Sequence, residues 1–121
     1  YPIELHFVHK NQRNELCVIG VMLKLGKENQ ALSGWLASAP QVAGKRSKMK
    51  LDFATILPKK LDYYTYKGSL TTPPCSEGVR WLILSEVVEI SAEQLRHFQE
   101  IYLCNARPVQ ELYQRNVKAS I

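Results

Sequence analysis

The decapeptide Leu16–Leu25, LCVIGVMLKL, limits more than any other segment what this chain can fold into. It is nearly continuous in apolar residues, broken only by Gly20 and Lys24, so it reads as a strand buried on both faces. It falls well short of the ~18 apolar residues that a membrane helix requires. Just upstream, Ile3 to His9 alternates: Ile3, Leu5 and Phe7 fall on one strand face, Glu4, His6 and Val8 on the other. Lys10 to Glu15 is polar and of hairpin length, which places the two strands side by side.

The remaining pattern adds strands and two edge helices. Glu28 to Ala39 suits a short helix, with Leu32, Trp35, Leu36 and Ala39 on one stripe and Pro40 as its stop. Leu61 to Tyr66 reads as an aromatic strand, Gly68 to Pro74 as a loop, and Val79 to Ile90 as one long strand. Ser91-Ala92-Glu93-Gln94 is a capping box opening a helix whose Leu95, Phe98 and Tyr102 share a stripe. A last strand is expected near Val117. The class is mostly β (α+β): a large, twisted, mainly antiparallel sheet with short peripheral helices.

Charge and cysteine content exclude several classes. Sixteen Lys and Arg against eleven Asp and Glu leave +5 on 121 residues, a modest excess compatible with an ordinary surface. The one dense basic run, Gly44–Lys50, has no interleaved aromatics and reads as a solvated loop, so no nucleic-acid partner is expected. No membrane span or signal-peptide pattern is present. Cys17, Cys75 and Cys104 form no C-x-x-C pair, against a closed thiolate zinc site. The chain opens at Tyr1 directly on a strand-like run, which reads as the later part of a larger domain.

Three small groups carry chemistry. Glu4 and His6, two apart on a strand, point the same way, as a metal-ligating imidazole and its orienting carboxylate would. Taken alone, the pair is better explained as a half-buried histidine with an ion-pair partner. His9 falls on the opposite face from His6. Gly68-Ser69-Leu70-Thr71-Thr72-Pro73-Pro74 is a rigid loop presenting two hydroxyls, which by itself reads as a structural turn. Val8, Val18, Leu70, Val79 and Trp81 are core-forming singly and could together wall a small dry cavity.

In combination these segments resemble the alpha-class carbonic anhydrases. The stretches ELHFVH (Glu4 to His9), VIGVMLKLG (Val18 to Gly26), LDYYTYKGSLTTPPCSEGVRW (Leu61 to Trp81) and RPVQ (Arg107 to Gln110) match in the family's order across nearly the whole chain. Cys75-Ser76-Glu77-Gly78 is similar to the bacterial branch. The resemblance implies an incomplete alpha-carbonic-anhydrase fold, residues 1–121 being the C-terminal part of a single domain. It implies Zn2+ as cofactor, His6 as the third zinc histidine and Glu4 as the carboxylate orienting it. Thr71 matches the threonine that accepts a hydrogen bond from zinc-bound hydroxide, and Thr72 lines the polar side. Val8, Val18, Leu70, Val79 and Trp81 match the pocket for carbon dioxide, and Pro73–Pro74 a cis peptide.

The implied activity is zinc-hydroxide-mediated, reversible hydration of carbon dioxide to bicarbonate and a proton, open to sulfonamide-type inhibitors. No H-x-H pair exists here; the only other histidine is His97. The remaining ligands are expected in a missing N-terminal half, and this piece alone is expected to be inactive. In the bacterial branch the Cys75 position pairs with an upstream cysteine, which implies a periplasmic or secreted protein. The alternative is a catalytically dead, carbonic-anhydrase-like binding domain.

Overall fold

The computed structural model describes every residue except Gln41, Ala43, Gly44, Ser47, Met49 and Ile121. The basic run Gly44–Lys50 therefore lies partly outside the described residues; its four cations, Lys45, Arg46, Lys48 and Lys50, are exposed.

The alternating segment and the apolar decapeptide form strands β1 (Ile3–Lys10) and β2 (Leu16–Leu25), antiparallel with His6 opposite Gly20. Asn11 closes the hairpin, its side-chain oxygen accepting from the amides of Arg13 and Glu15, each at 2.9 Å. Helix α1 (Gln30–Ser38) is capped by Asn29, and a short 3-10 turn spans Phe53–Thr55. Strands β3 (Tyr63–Ser69), β4 (Glu77–Leu84) and β5 (Val88–Ile90) follow, then helix α2 (Ala92–Ile101) and strand β6 (Lys118–Ala119).

The strands make one mixed sheet in the order β1-β2-β4-β3-β6, with β5 paired to the far end of β2. The β1–β2, β3–β4 and β3–β6 pairings are antiparallel, while β4 and β5 run parallel to β2. The mainly antiparallel, mostly β architecture read from the sequence holds. A parallel neighbour needs a long crossover, and the stretch carrying α1 and β3 supplies it between β2 and β4.

Cross-strand partners share a face, which sorts the core in two. Leu23, Leu32, Ile56 and Ile90 are buried together, with Ile3, Leu5 and Phe7 packed against them. On the other face Val18, Val79 and Trp81 form a second cluster with Leu16, Tyr66, Leu70 and Ile83. Decapeptide β2 is buried through its middle, as its composition requires, and exposed at Lys24 and Leu25.

Three boundaries depart from the sequence pattern. The expected single strand Val79–Ile90 is two strands, since from Gly20↔Ile83 to Leu23↔Val88 β2 advances three residues and its neighbour five. The surplus turns out at Ser85–Val87, where the Ser85 amide donates to the Asp62 carbonyl (2.8 Å) and the Glu86 carboxylate accepts from Lys60 N (3.0 Å). Strand β3 begins later than Leu61 and runs through Gly68 to Ser69, absorbing a register shift there. Helix α1 begins after Glu28, because Asn29 is held outside the helix as its cap.

The helices are joined by one polar group. The capping box at Ser91 forms as its sequence indicates. Its Gln94 is buried, accepts from the amides of Asn29 (2.9 Å) and Ser91 (3.1 Å), and donates to Asn29 O (2.7 Å) and Ser33 Oγ (2.9 Å). All its hydrogen-bonding capacity is used, so a buried amide here costs little and locks α1 to α2.

Candidate active site

Strand alternation puts Glu4, His6 and Val8 on the face that carries Val18, Val79 and Trp81. His6 Nε2 lies 3.1 Å from Glu4 Oε1, with both side chains about one quarter to one third exposed (24% and 34%). The contact has ion-pair distance without hydrogen-bond alignment, so Nε2 is a buried polar nitrogen lacking a hydrogen-bond partner. An atom in that state costs roughly 1–3 kcal/mol. The ring is steadied from the side by Trp81, edge-on with centroids 4.8 Å apart.

Room for the carboxylate comes from Gly20. A Cβ on that residue would stand 2.9 Å from Glu4 Oε1 and 2.6 Å from Ile83 Cδ1. Sequence reading gave Gly20 no role, although a glycine inside an apolar strand is the usual mark of a close approach.

The loop bearing Thr71 is fastened at both ends. Trp81 Nε1 donates to Ser69 O (3.0 Å), Leu70 N to Ser76 O (2.9 Å) and Cys75 N to Thr72 O (2.9 Å). Arg107 Nη1 donates to Ser69 Oγ (2.6 Å), which donates onward to Leu70 O (3.0 Å). Gly68 allows the Trp81 ring across the strand: a Cβ there would meet Trp81 Cδ1 and Tyr66 Cε2 at 3.0 Å. The Pro73–Pro74 peptide is cis. In the sequence Ser69 and Arg107 stand out only as parts of matching segments; their contact joins positions 38 apart, which no local pattern reveals.

Glu4, Thr71, Trp81 and Arg107 border one cavity of about 340 Å3. Tyr66 also lines it, stacked on Trp81 (6.4 Å, 8° between planes). Burial pushes the Tyr66 hydroxyl above its ordinary pKa, the Glu4 carboxylate adds to the rise, and Arg115 opposes both. The fold thus brings Glu4, His6, Leu70, Thr71, Val18, Val79 and Trp81 to one side of the sheet. Thr72 is exposed at the loop tip. Val8 stands opposite Val18 yet is 60% exposed, outside the packed cluster. His9 lies on the other face, as expected, its Nδ1 2.9 Å from Phe7 O.

Among the described residues no three His, Cys, Asp or Glu side chains come close enough to hold a metal. Cys17, Cys75 and Cys104 are unpaired within the chain. This side of the sheet therefore offers one imidazole with its carboxylate, a pinned hydroxyl loop and a dry wall.

The family profile described as eukaryotic-type carbonic anhydrase matches residues 1–121. A carbonic anhydrase from a Nostoc strain is 38% identical over 124 residues, aligning 100% of this chain with 47% of its own length. One from Neisseria gonorrhoeae is 42% identical over 119 residues, 97% of this chain and 47% of its own. Among solved structures, a hyperthermostable carbonic anhydrase from a hydrothermal vent chimney superposes with TM-score 0.91 at 45% identity, covering 98% of this chain and 55% of that one. The alpha-carbonic anhydrase of Thermovibrio ammonificans, in complex with the inhibitor sulfanilamide, gives TM-score 0.88 at 45% identity over 94% of this chain and 52% of that one. The chain spans about half the length of the curated relatives it matches.

Proposed function

Because the chain belongs to the eukaryotic-type carbonic anhydrase family, we propose that it is the C-terminal part of a single domain that reversibly hydrates carbon dioxide to bicarbonate and a proton, with zinc as cofactor. The observation that carries this reading is the Glu4–His6 contact on the face shared with the Thr71 loop and the Val18–Val79–Trp81 cluster.

The buried Nε2 beside Glu4 fits the outward edge of a metal-bound imidazole, whose ring N–H ordinarily donates to a carboxylate. Nδ1 is then the nitrogen free to ligate. One imidazole fits one corner of a tetrahedral site and not the whole, so the other ligands belong to the part of the domain outside this chain. Bound zinc makes hydroxide available near neutral pH, carbonic anhydrase being the type example of that effect.

The chain's own residues then have distinct tasks. Glu4 fixes the tautomer and orientation of His6. Thr71, its backbone held through Ser69 and Leu70, accepts a hydrogen bond from the attacking group and aims it. Val18, Leu70, Val79 and Trp81, with Val8 at the rim, keep water from a weakly polar substrate. Thr72 lines the polar side of the approach. Sulfonamide-type inhibitors would occupy the same place; the Thermovibrio relative forms a complex with the inhibitor sulfanilamide. The same reading pairs Cys75 with a cysteine outside this chain, in a periplasmic or secreted protein. Among the described residues no helix is long and apolar enough to cross a membrane.

The rival reading, a catalytically dead binding domain, draws on the lack of a complete ligand cluster among the described residues. Zinc analysis of two samples separates them. Residues 1–121 alone should bind no stoichiometric zinc and show no sulfonamide-sensitive hydration. The gene product read from its natural start through Ile121 should bind one zinc per chain and hydrate carbon dioxide, and His6→Ala should strip both. A longer product that holds no zinc overturns the enzyme reading in favour of the rival.

A further inference from the structure

On the sheet face turned away from His6, three adjacent strands present cations side by side. Lys67 of β3 stands directly opposite Arg80 of β4, and Thr65 of β3 opposite Lys118 of β6. Together with Tyr66, Arg115 and Asn116 these residues border an open hollow of about 320 Å3. Four of its seven lining residues are cationic, Thr65, Tyr66 and Asn116 carry further donors, and none is acidic.

Like charges directly across a ladder destabilise a sheet. The Lys67–Arg80 pair pays that penalty without relief, for Lys67, Arg80 and Lys118 form no ion pair among the described residues. Arg115 spends its donors on the carbonyls of Leu112, Lys67 and Glu111, which hold it in place and leave its charge uncancelled. A local rule broken with no compensation among the described residues points to compensation from a ligand.

We propose that this hollow binds a multivalent oxyanion of the phosphate class, as free phosphate or as the phosphate group of a small monoester. Lys67, Arg80 and Lys118 reach it from three strands spaced ~4.8 Å apart, while Thr65 and Asn116 add neutral donors. Side chains this exposed lose little by being brought together around a dianion, and the cross-strand repulsion is relieved when it binds. The site does not depend on the zinc reading: Thr65, Lys67, Arg80 and Lys118 lie on the face opposite His6, while Tyr66 and Arg115 separate the hollow from the Glu4 cavity and border both.

The test is titration of the longer gene product containing this chain, with any zinc site blocked by a sulfonamide, with inorganic phosphate and with glycerol phosphate, followed by amide NMR and calorimetry. Sodium chloride at matched ionic strength is the reference. Saturable shifts centred on Thr65, Lys67, Arg80 and Lys118 are expected; an equal response to both ligands identifies the phosphate group as what is recognised, and a stronger one to glycerol phosphate identifies a monoester. Lys67→Gln and Arg80→Gln should each weaken binding about fivefold, the factor of one exposed ion contact. The same variants should be no less stable than the parent without phosphate, because each removes half of a repelling pair; a merely structural role predicts the reverse. Lys59→Gln, on an exposed residue elsewhere, should change neither property. The proposal is overturned if chloride reproduces the shifts, if Lys59→Gln weakens binding as much as Lys67→Gln, or if only long polyanions bind.

Discussion

Replacing Gly20 by alanine probes how the sheet accommodates the Glu4 carboxylate. The added methyl would sit 2.6 Å from Ile83 Cδ1 and 2.9 Å from Glu4 Oε1, where ordinary contact begins at 3.4 Å. Both obstructing atoms are side-chain ends, so the β1–β2 ladder need not move; Ile83 and Glu4 must turn aside instead. Overpacking of this kind costs about 1–3 kcal/mol, and loss of glycine from a strand returns roughly 0.5–1 kcal/mol. Taken at mid-range, the net destabilisation is about 1.3 kcal/mol. At ~4 °C per kcal/mol for a chain of this length, the thermal midpoint should fall by about 5 °C. Circular dichroism melts measure the fall, and nitrogen shifts of the His6 ring report whether Glu4 has left it. The decisive assay is a double-mutant cycle with Glu4→Ala. Removing the carboxylate frees space for the methyl, so the two costs should be less than additive by ~0.5–1 kcal/mol. Additive costs, or an alanine variant as stable as the parent, would refute the claim that Gly20 exists to admit Oε1.

Three further outcomes follow from contacts in the fold. Gln94→Leu should destabilise the chain by about 2–4 kcal/mol in urea titration, since it orphans the Asn29 and Ser91 amides, while the Asn29 carbonyl keeps its bonds from the Leu32 and Ser33 amides; a loss under ~0.5 kcal/mol contradicts the lock between the helices. Trp81→Phe, which deletes the bond to Ser69 O, should speed amide exchange at Leu70–Thr72 while leaving α2 unchanged. Tyr66 has a raised pKa in the folded chain, from burial first and Glu4 second, so the native state holds the phenolic proton more tightly than the unfolded chain. Its contribution is therefore intact below the ordinary value of 10.0 and is lost as pH rises through the folded value. Tyr66→Phe should flatten the alkaline limb of the stability profile, and a limb that persists unchanged removes Tyr66 as its source.

Much of this architecture could be read from residue patterns, and the misses have physical causes. Period-two alternation in Ile3–His9 put Glu4 and His6 on one face, and the structure has them in contact. Ser91 and Gln94 announced their cap because both hydrogen bonds are local. What failed was long-range. The break between β4 and β5 is imposed by unequal spacing against β2, and no residue in Ser85–Val87 carries a breaker's signature. Val8 has a core residue's chemistry, but it sits on β1, at the end of the strand order, and stands exposed there. The anchoring of Ser69 by Arg107, and the cationic hollow built from β3, β4 and β6, arise from residues that only the sheet order brings together.

Among the described residues β1 is joined to the rest of the sheet through β2 alone. The lateral offset of the His6 and Trp81 backbones is consequently fixed at two ladder widths, ~10 Å, with β2 between them, and their rings meet across it at 4.8 Å. Lengthening the Asn11–Glu15 bend leaves that offset untouched, so this corner is free to vary in size. A single residue inserted between Leu16 and Gly20 is another matter: it inverts the pleat and sends every later side chain of the strand to the opposite face. Tolerance to insertion should switch from full to nil within a few positions of one hairpin.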